Sequence, residues 1–540
     1  MTLVLAAGLV LFALDVGAFR GMSDNGDYGR VMTQVGLRFG PGDGNSAHRV
    51  AVQYYKEWPQ TRTWRQYPTS LVPIANAAVA IDDAVTGDRR FDLRFLGLIY
   101  LGGFLVALYG LLRATRRLDP YVRVGLAALG LFVLTDFAYI GYFHSLFSEP
   151  VGAIGLLGLV GGSLLWAASG RRSPWAMALL ALGGVLLATS KTQYAPIALL
   201  AALVLFVVSA RDLWRRRRAD VGTGTGKTPT TRRRPAVVAA ASGLVVALAI
   251  LVGAAWSVVY APQSLRVIQL WEATYLQVLP HAPDKVAAAR ELGLDPGLAD
   301  YSGQQAHGAH PPRLSAAFQK RFPVYVPTQG AIVSYYVHHP VQFAGLMWRG
   351  RAALSEMRPP DIANETHGAP HGLPSFTDRR DGWSDLKHDL HGFAIPYTTL
   401  VLGTAFVAPA VAGVRERRRR RDGRPERYGP ASGGALTVLA TAAVAAAGQY
   451  VVVLLSDGQW EQVKHFYAFH LLTDLSLLGL LAWGGSLVAR RYRPSDEPPG
   501  TATRTGRVRP PATGTRHAGG VRSRRSPEAA DSPVAAPAAP

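Results

Sequence analysis

The chain has 540 residues, of which 49% are hydrophobic and 17% charged, and its formal net charge is +21. A soluble chain of this length divides into several domains and carries about 25% charged residues. The apolar excess, gathered in long blocks, therefore excludes an ordinary soluble enzyme. With no cysteine, disulfide frameworks, thiolate metal sites and thiol nucleophiles are excluded too.

Runs of 18 or more apolar residues with few charges are long enough to cross ~30 Å of hydrocarbon as a helix, and backbone in lipid must satisfy its own hydrogen bonds. Ten blocks qualify in chain order: 2–19, 94–113, 121–141, 151–169, 174–190, 194–210, 236–259, 393–414, 433–456 and 465–489. The first has no basic leader and no convincing cleavage site, so it reads as a span rather than a removed signal. The fifth and sixth are close enough to form one re-entrant unit instead. The predicted fold class is an all-α polytopic membrane protein of about ten transmembrane helices over residues 1–490, followed by a disordered basic cytoplasmic tail, 491–540, rich in Pro, Ala, Gly, Thr and Arg.

Arginine in short connections marks the cytoplasmic side. Arg113, Arg116 and Arg117 follow the second block, Arg171 and Arg172 the fourth, Arg215 to Arg218 and Arg232 to Arg234 the sixth, and Arg415 with Arg417 to Arg421 the eighth. All fall on one side of an alternating ten-span path, which places both termini in the cytoplasm and the protein in the plasma membrane. The positive charge is read as this topology signal and as attraction to anionic lipid, so nucleic acid is not an expected partner. Within the cytoplasmic linker, GTGTGKT (222–228) is too short before its Gly-Lys for a phosphate loop and follows no strand.

Two long loops, 20–93 and 260–392, are expected outside. In the first, 45–57 and 71–84 read as helices lying on the membrane surface. The second is large enough for a folded cap, with a helix over 331–347 broken near Pro340. Trp271, Tyr335, Tyr336 and Trp348 are its candidate sugar-stacking rings. Its histidines, His307, His310, His338, His339, His367, His371, His388 and His391, do not fall at a strong metal-ligand spacing.

Polar groups at the outer membrane edge come from separate loops. SDNGDYGR (23–30) holds Asp24, Asp27 and Arg30 on a Gly-containing turn; Glu149 ends HSLFSEP; Lys191 and Gln193 lie in SKTQY; Asp457, Glu461, Lys464 and His465 precede the last block. Charged groups at that depth are expected to face a cavity or the bundle interior. One shared pocket suits displacement of a phosphate leaving group. Asp24 or Asp27 would take a proton from an incoming hydroxyl, with Glu149 as a further acid, while Arg30, Lys191, Gln193, Lys464 and His465 would hold substrate and anion. An Asx-type turn that merely ends the first span is the competing account of the acidic pair. Asp15, Asp136 and Asp474 lie inside blocks, and His470, one turn before Asp474, is its expected partner.

DNGDYGRVM, SLFSEP, SKTQY, SYYVHHP and KHFYAFHLLTDL, in this order, resemble the GT-C class of membrane glycosyltransferases, in particular the WsfD-like hexose transferases of bacterial glycan biosynthesis. The resemblance implies a catalytic acid in the first outer loop, a polyprenyl-phosphate sugar as donor, a cell-surface glycan or glycolipid as acceptor, and inverting single displacement. The D-N-G-D spacing departs from the DxD or ExD of several relatives, so the base is either acid, and a divalent metal is the one candidate cofactor. The alternative is a transporter or flippase of lipid-linked sugars that uses Asp15, Asp136 and Asp474 as a relay. Large outer loops and the lack of internal repeats weigh against it.

Overall fold

A computed structural model describes residues 1–14, 20–39, 53–56, 69–171, 173–222, 234–308, 310–359, 362, 380–423, 430–456 and 462–492. Residues 1–491 form one unit. The tail beyond Tyr492 and Asp15, Asp457, Glu461, His367 and His371 lie outside the described residues.

In chain order the helices are α1 (Thr2–Leu14), α2 (Gly29–Val35), α3 (Leu71–Thr86), α4 (Leu93–Ala114), α5 (Pro120–Leu134), α6 (Phe137–Ile140), α7 (Glu149–Ala168), α8 (Pro174–Ser190), α9 (Ala195–Gly222) and α10 (Arg234–Val259). The long second loop contributes α11 (Gln263–Trp271), α12 (Leu279–His281), α13 (Lys285–Glu291), α14 (Ala316–Arg321), α15 (Gln329–His338), α16 (Pro340–Arg349) and α17 (Gly382–Asp389). Then follow α18 (Ala394–Arg421), α19 (Pro430–Ser456), α20 (Gln462–His465) and α21 (Tyr467–Tyr492).

The ten apolar blocks are helical over nearly all of their described residues, with a break at Thr135 and Asp136, and the count of ten spans is met in part. Seven helices are long and apolar enough to cross a membrane, or up to eight if α5 and the segment Phe137–His144 form one span bent by 57°. Helices α1 and α8 are apolar but shorter. The bend has a local cause. Phe137 N–H donates to Arg380 O at 3.0 Å, and the Arg380 guanidinium donates to Thr135 Oγ1 at 2.5 Å. Backbone bonds that would continue the helix are thus redirected to the segment leading into α17.

Helices α7 and α8 cross at glycines. A Cβ on Gly155 would lie 2.6 Å from Leu187 N, and one on Gly162 would lie 2.5 Å from Leu180 N, so only glycine lets these backbones touch. The seam sets the spacing of the two helices beneath Glu149 and Lys191.

One expectation for the first loop is corrected. Residues 53–56, assigned above to a surface helix, form strand β2 of an antiparallel sheet in the order β1 (Leu37–Arg38), β2 (Gln53–Lys56), β3 (Arg90–Asp92). In QYYK only Tyr54 is fully buried, the alternation of a half-buried strand. Lys56 Nζ reaches Asp82 at 2.7 Å and Asp83 at 3.2 Å and pins the sheet to α3. The expected helix over 71–84 is present as α3, which buries Leu71, Ala75, Ala78 and Asp82.

In the second loop, Trp271, Tyr301, Phe318, Phe322 and Tyr325 pack ring on ring. The expected break near Pro340 separates α15 from α16 at His339. The proposed sugar platforms are corrected accordingly. Trp271, Tyr335 and Tyr336 are buried in this interior, because a helical cap without disulfides relies on aromatic area for its core. Of the four, only Trp348 is exposed, and Arg351 lies over its ring at 4.5 Å.

Candidate functional site

The acidic turn is an Asx turn. Asp24 Oδ1 accepts from Gly26 N–H at 2.7 Å and from Tyr28 N–H at 3.1 Å, and Gly26 adopts φ +99°, open to glycine at little cost. Tyr28 anchors the turn from below: its hydroxyl donates to Met22 O at 2.7 Å and its ring meets Phe147 at 4.9 Å. Both bonds to Asp24 use Oδ1, so Oδ2 remains for another group. The turn motif and a chemical role are therefore compatible.

Asp27 points to the opposite neighbours. Its Oδ1 lies 2.9 Å from an Arg30 guanidinium nitrogen and its Oδ2 lies 2.5 Å from Lys464 Nζ. Lys464 is buried, with its ammonium 4.6 Å from the centre of the Phe147 ring. Burial pushes the Asp24 carboxyl above the usual carboxylate range, against the pull of its two backbone N–H groups. Burial opposes ionisation of Asp27 too, but Lys464 and Arg30 overcome it and hold that carboxyl well below the usual range. Two acids three residues apart thus differ in proton affinity, and the difference comes from their partners.

Glu149 and Lys191 complete the cluster. Glu149 begins α7 and Lys191 follows α8, and the glycine seam brings these ends together, so Lys191 Nζ donates to Glu149 Oε1 at 2.8 Å. The same ammonium lies 3.1 Å from His465 Nδ1, which in turn is 3.0 Å from Gln193 Oε1. One nitrogen cannot serve both contacts at once: His465 Nδ1 either accepts from Lys191 or, in the Nδ1–H tautomer, donates to Gln193 Oε1. Burial first, then the charges of Lys191 and Lys464, keep this imidazole neutral. Asp27, Glu149, Arg30, Lys191, Gln193, Lys464 and His465 are joined by these contacts, and Asp24 lies on the same turn as Asp27. Three loops and the start of the last span supply them. Among the described residues no group of three or more His, Cys, Asp or Glu could hold a metal ion.

An apolar cavity of about 110 Å³ lies between α7, α9 and α19. On these helices it runs from Leu156, Ile197 and Ala445 to Ala167, Val208 and Gly434, with Arg171 at the far end. One to two turns further along α7 stands Glu149; one turn further, Gln193 precedes α9 and Gln449 lies on α19. Gln449 is buried, and neither of its amide atoms has a hydrogen-bond partner. By helical register the charged cluster lies beyond one end of the cavity.

The intramembrane acids belong elsewhere. Asp474 accepts from Tyr139 Oη at 2.6 Å, Trp383 Nε1 at 2.8 Å and Lys387 Nζ at 3.2 Å. The expected Asp474–His470 pair is replaced: Lys387 stands between them, 3.1 Å from His470 Nδ1, and His470 Nε2 lies 3.0 Å from Glu356 O. Asp136 Oδ2 accepts from Trp383 N–H at 2.9 Å and Ser384 N–H at 3.0 Å, capping α17 from another helix. Sequence reading missed Lys387, although its i, i+4 spacing from Trp383 placed both on one helix face.

Fold and site together define a polytopic helical membrane protein with a partly buried cluster of acids and cations. The chain belongs to the family of the YfdI N-terminal transmembrane domain, whose model matches residues 1–494. The match suggests a membrane glycosyltransferase-like family. No curated protein and no solved structure matches the chain.

Proposed function

We propose that the protein is a glycosyltransferase that moves a hexose from a polyprenyl-phosphate carrier to a cell-surface glycan or glycolipid, at the extracytoplasmic face of the plasma membrane. In this reading it is a WsfD-like enzyme with both termini cytoplasmic. The observation that carries the proposal is the meeting of acids and cations from four separate segments, one to two helical turns beyond the end of an apolar cavity between three helices. A phosphate on a hydrocarbon chain matches both halves of that arrangement.

In the reaction, the acceptor hydroxyl oxygen attacks the anomeric carbon and its proton passes to Asp24 Oδ2. The bond from the anomeric carbon to the phosphate oxygen breaks, and its electron pair leaves with polyprenyl phosphate. Lys191 and Lys464 neutralise that charge, and inversion follows from a single displacement. Asp24 suits the base because its proton affinity is raised and one oxygen is held by backbone N–H groups. Asp27, clamped by Lys464 and Arg30, orients the cations instead. Glu149 does the same for Lys191. Because these acids already face side-chain cations, no step is assigned to a metal.

The flippase alternative needs acids that exchange protons along a path. Asp136 and Asp474 are instead filled with donors from α17. The test is transfer of labelled hexose from polyprenyl-phosphate hexose by purified, reconstituted protein. Product that disappears in Asp24→Asn supports the enzyme; donor crossing the bilayer without any new glycosidic bond refutes it.

A further inference from the structure

The Lys387–Asp474 cluster has no part in the reaction above, yet it is built with unusual completeness. Both partners are buried, at 5% and 0% side-chain exposure. The pair has further partners: Tyr139 and Trp383 donate to Asp474, and Lys387 also serves His470. In the Nε2–H tautomer, His470 accepts from Lys387 and donates to Glu356 O, which satisfies both ring nitrogens.

What this cluster grips is the helix that carries half of the anion-facing cations. Phe466 N–H donates to Gln462 O at 2.8 Å and His470 N–H to Phe466 O at 2.9 Å, so α20 and α21 run as one strut. Lys464 and His465 stand on that strut about 15 Å from Asp474, at 1.5 Å per residue. Between them, Tyr467 Oη donates to Tyr139 O at 3.0 Å, and Tyr139 is the same residue that donates to Asp474. The other end of the grip is fixed, because Asp136 caps α17 through Trp383 and Ser384 N–H.

We propose that Lys387 is a positioning residue: by holding Asp474 and His470 against the docked helix α17, it sets the depth and rotation of the strut that places Lys464 against Asp27 and His465 against Lys191. The proposal rests on the glycosyltransferase reading for its kinetic readout, and its structural readout is independent of that reading. A buried pair used only for stability is replaceable by neutral groups, whereas removal of one partner leaves a stranded charge.

The experiment uses the full chain in lipid, comparing Lys387→Met, Lys387→Met/Asp474→Asn and Lys387→Arg. Asn at 474 still accepts from Tyr139 and Trp383. The double variant should regain the thermal stability lost in Lys387→Met, while its kcat stays on the order of 10- to 100-fold low with a smaller change in donor KM, as expected for misplaced charge-stabilising groups. Amide hydrogen exchange over 462–466 should be faster than in the wild type. Recovery of stability together with kcat, or unchanged exchange over 462–466, overturns the proposal. If the double variant does not fold, Lys387→Arg decides: a stable protein with lowered kcat and faster exchange upholds positioning, and wild-type values of both refute it. Should the wild type transfer no sugar at all, the function proposed above fails, and hydrogen exchange alone judges Lys387.

Discussion

Two lysine–aspartate pairs sit on or against the last long helix, and they are built to opposite ends. Lys387–Asp474 is closed, with both side chains inaccessible and both surrounded by further partners. Lys464–Asp27 is half-open: the ammonium is 1% exposed but the carboxyl is 27% exposed. A closed pair cannot trade partners without stranding a charge. An open pair can, because an arriving anion replaces one carboxylate oxygen with another. The same residue types thus make a fastener in one place and a receptive site in the other, and burial of the acid decides which.

The sharpest way to break this contrast is at Asp24. Asp24→Asn keeps the acceptor for Gly26 and Tyr28 N–H but removes the base, so transfer should fall by about 10²- to 10⁴-fold with thermal stability retained. Initial rates and a melting curve on one preparation check this, and equal rates would remove Asp24 from the chemistry. Next, Lys464→Gln should cost about 10²- to 10³-fold in kcat, since it withdraws one preorganised charge from the leaving phosphate. A loss confined to KM would instead make Lys464 a ground-state binder.

On the closed side, Asp136→Ala leaves the Trp383 and Ser384 N–H groups buried without an acceptor. It should lower stability by about 1–3 kcal/mol, read as a fall in the unfolding midpoint. The smallest expected effect is a shift in the pH profile. Asp24 works when ionised, so the rate is lost as pH falls through its raised pKa, and the acid limb should lie above the ordinary value of about 3.9. The negative charge of Asp27 adds to that rise, and Lys464, once released from Asp27, opposes it. Asp27→Asn should therefore move the limb to lower pH. A limb that stays in place would mean that another group titrates.

The helices were legible because membrane spans announce themselves as long apolar blocks, and arginine placement gave an expectation for the side of each loop. That sorting is also why Asp24, Asp27, Glu149, Lys191 and Lys464 could be grouped before any contact was known: charge retained at a membrane edge has few places to go. Span lengths were less legible. Helix α8 runs only from Pro174 to Ser190, and the bend at Thr135 depends on Arg380, far along the chain. The three short strands escaped for a similar reason, since pairing of 37–38, 53–56 and 90–92 is long-range and each piece is too brief to show a period. Aromatic residues misled because a ring that packs a cap and a ring that stacks on sugar have the same composition; only exposure separates Trp348 from Trp271. Lys387 was hidden by distance, 87 residues from its acid.

The glycine seam between α7 and α8 has one more consequence. Glu149 and Lys191 are mounted on the ends of two helices in backbone-to-backbone contact at Gly155 and Gly162. At those two points the spacing is set by backbone contact, which no rotamer change relieves. Lys464 and His465 belong to a separate strut held by side-chain bonds. The fastener at Lys387 and Asp474 holds that strut, so the gap between the two lysines is set by the glycine seam on one side and by the closed pair on the other.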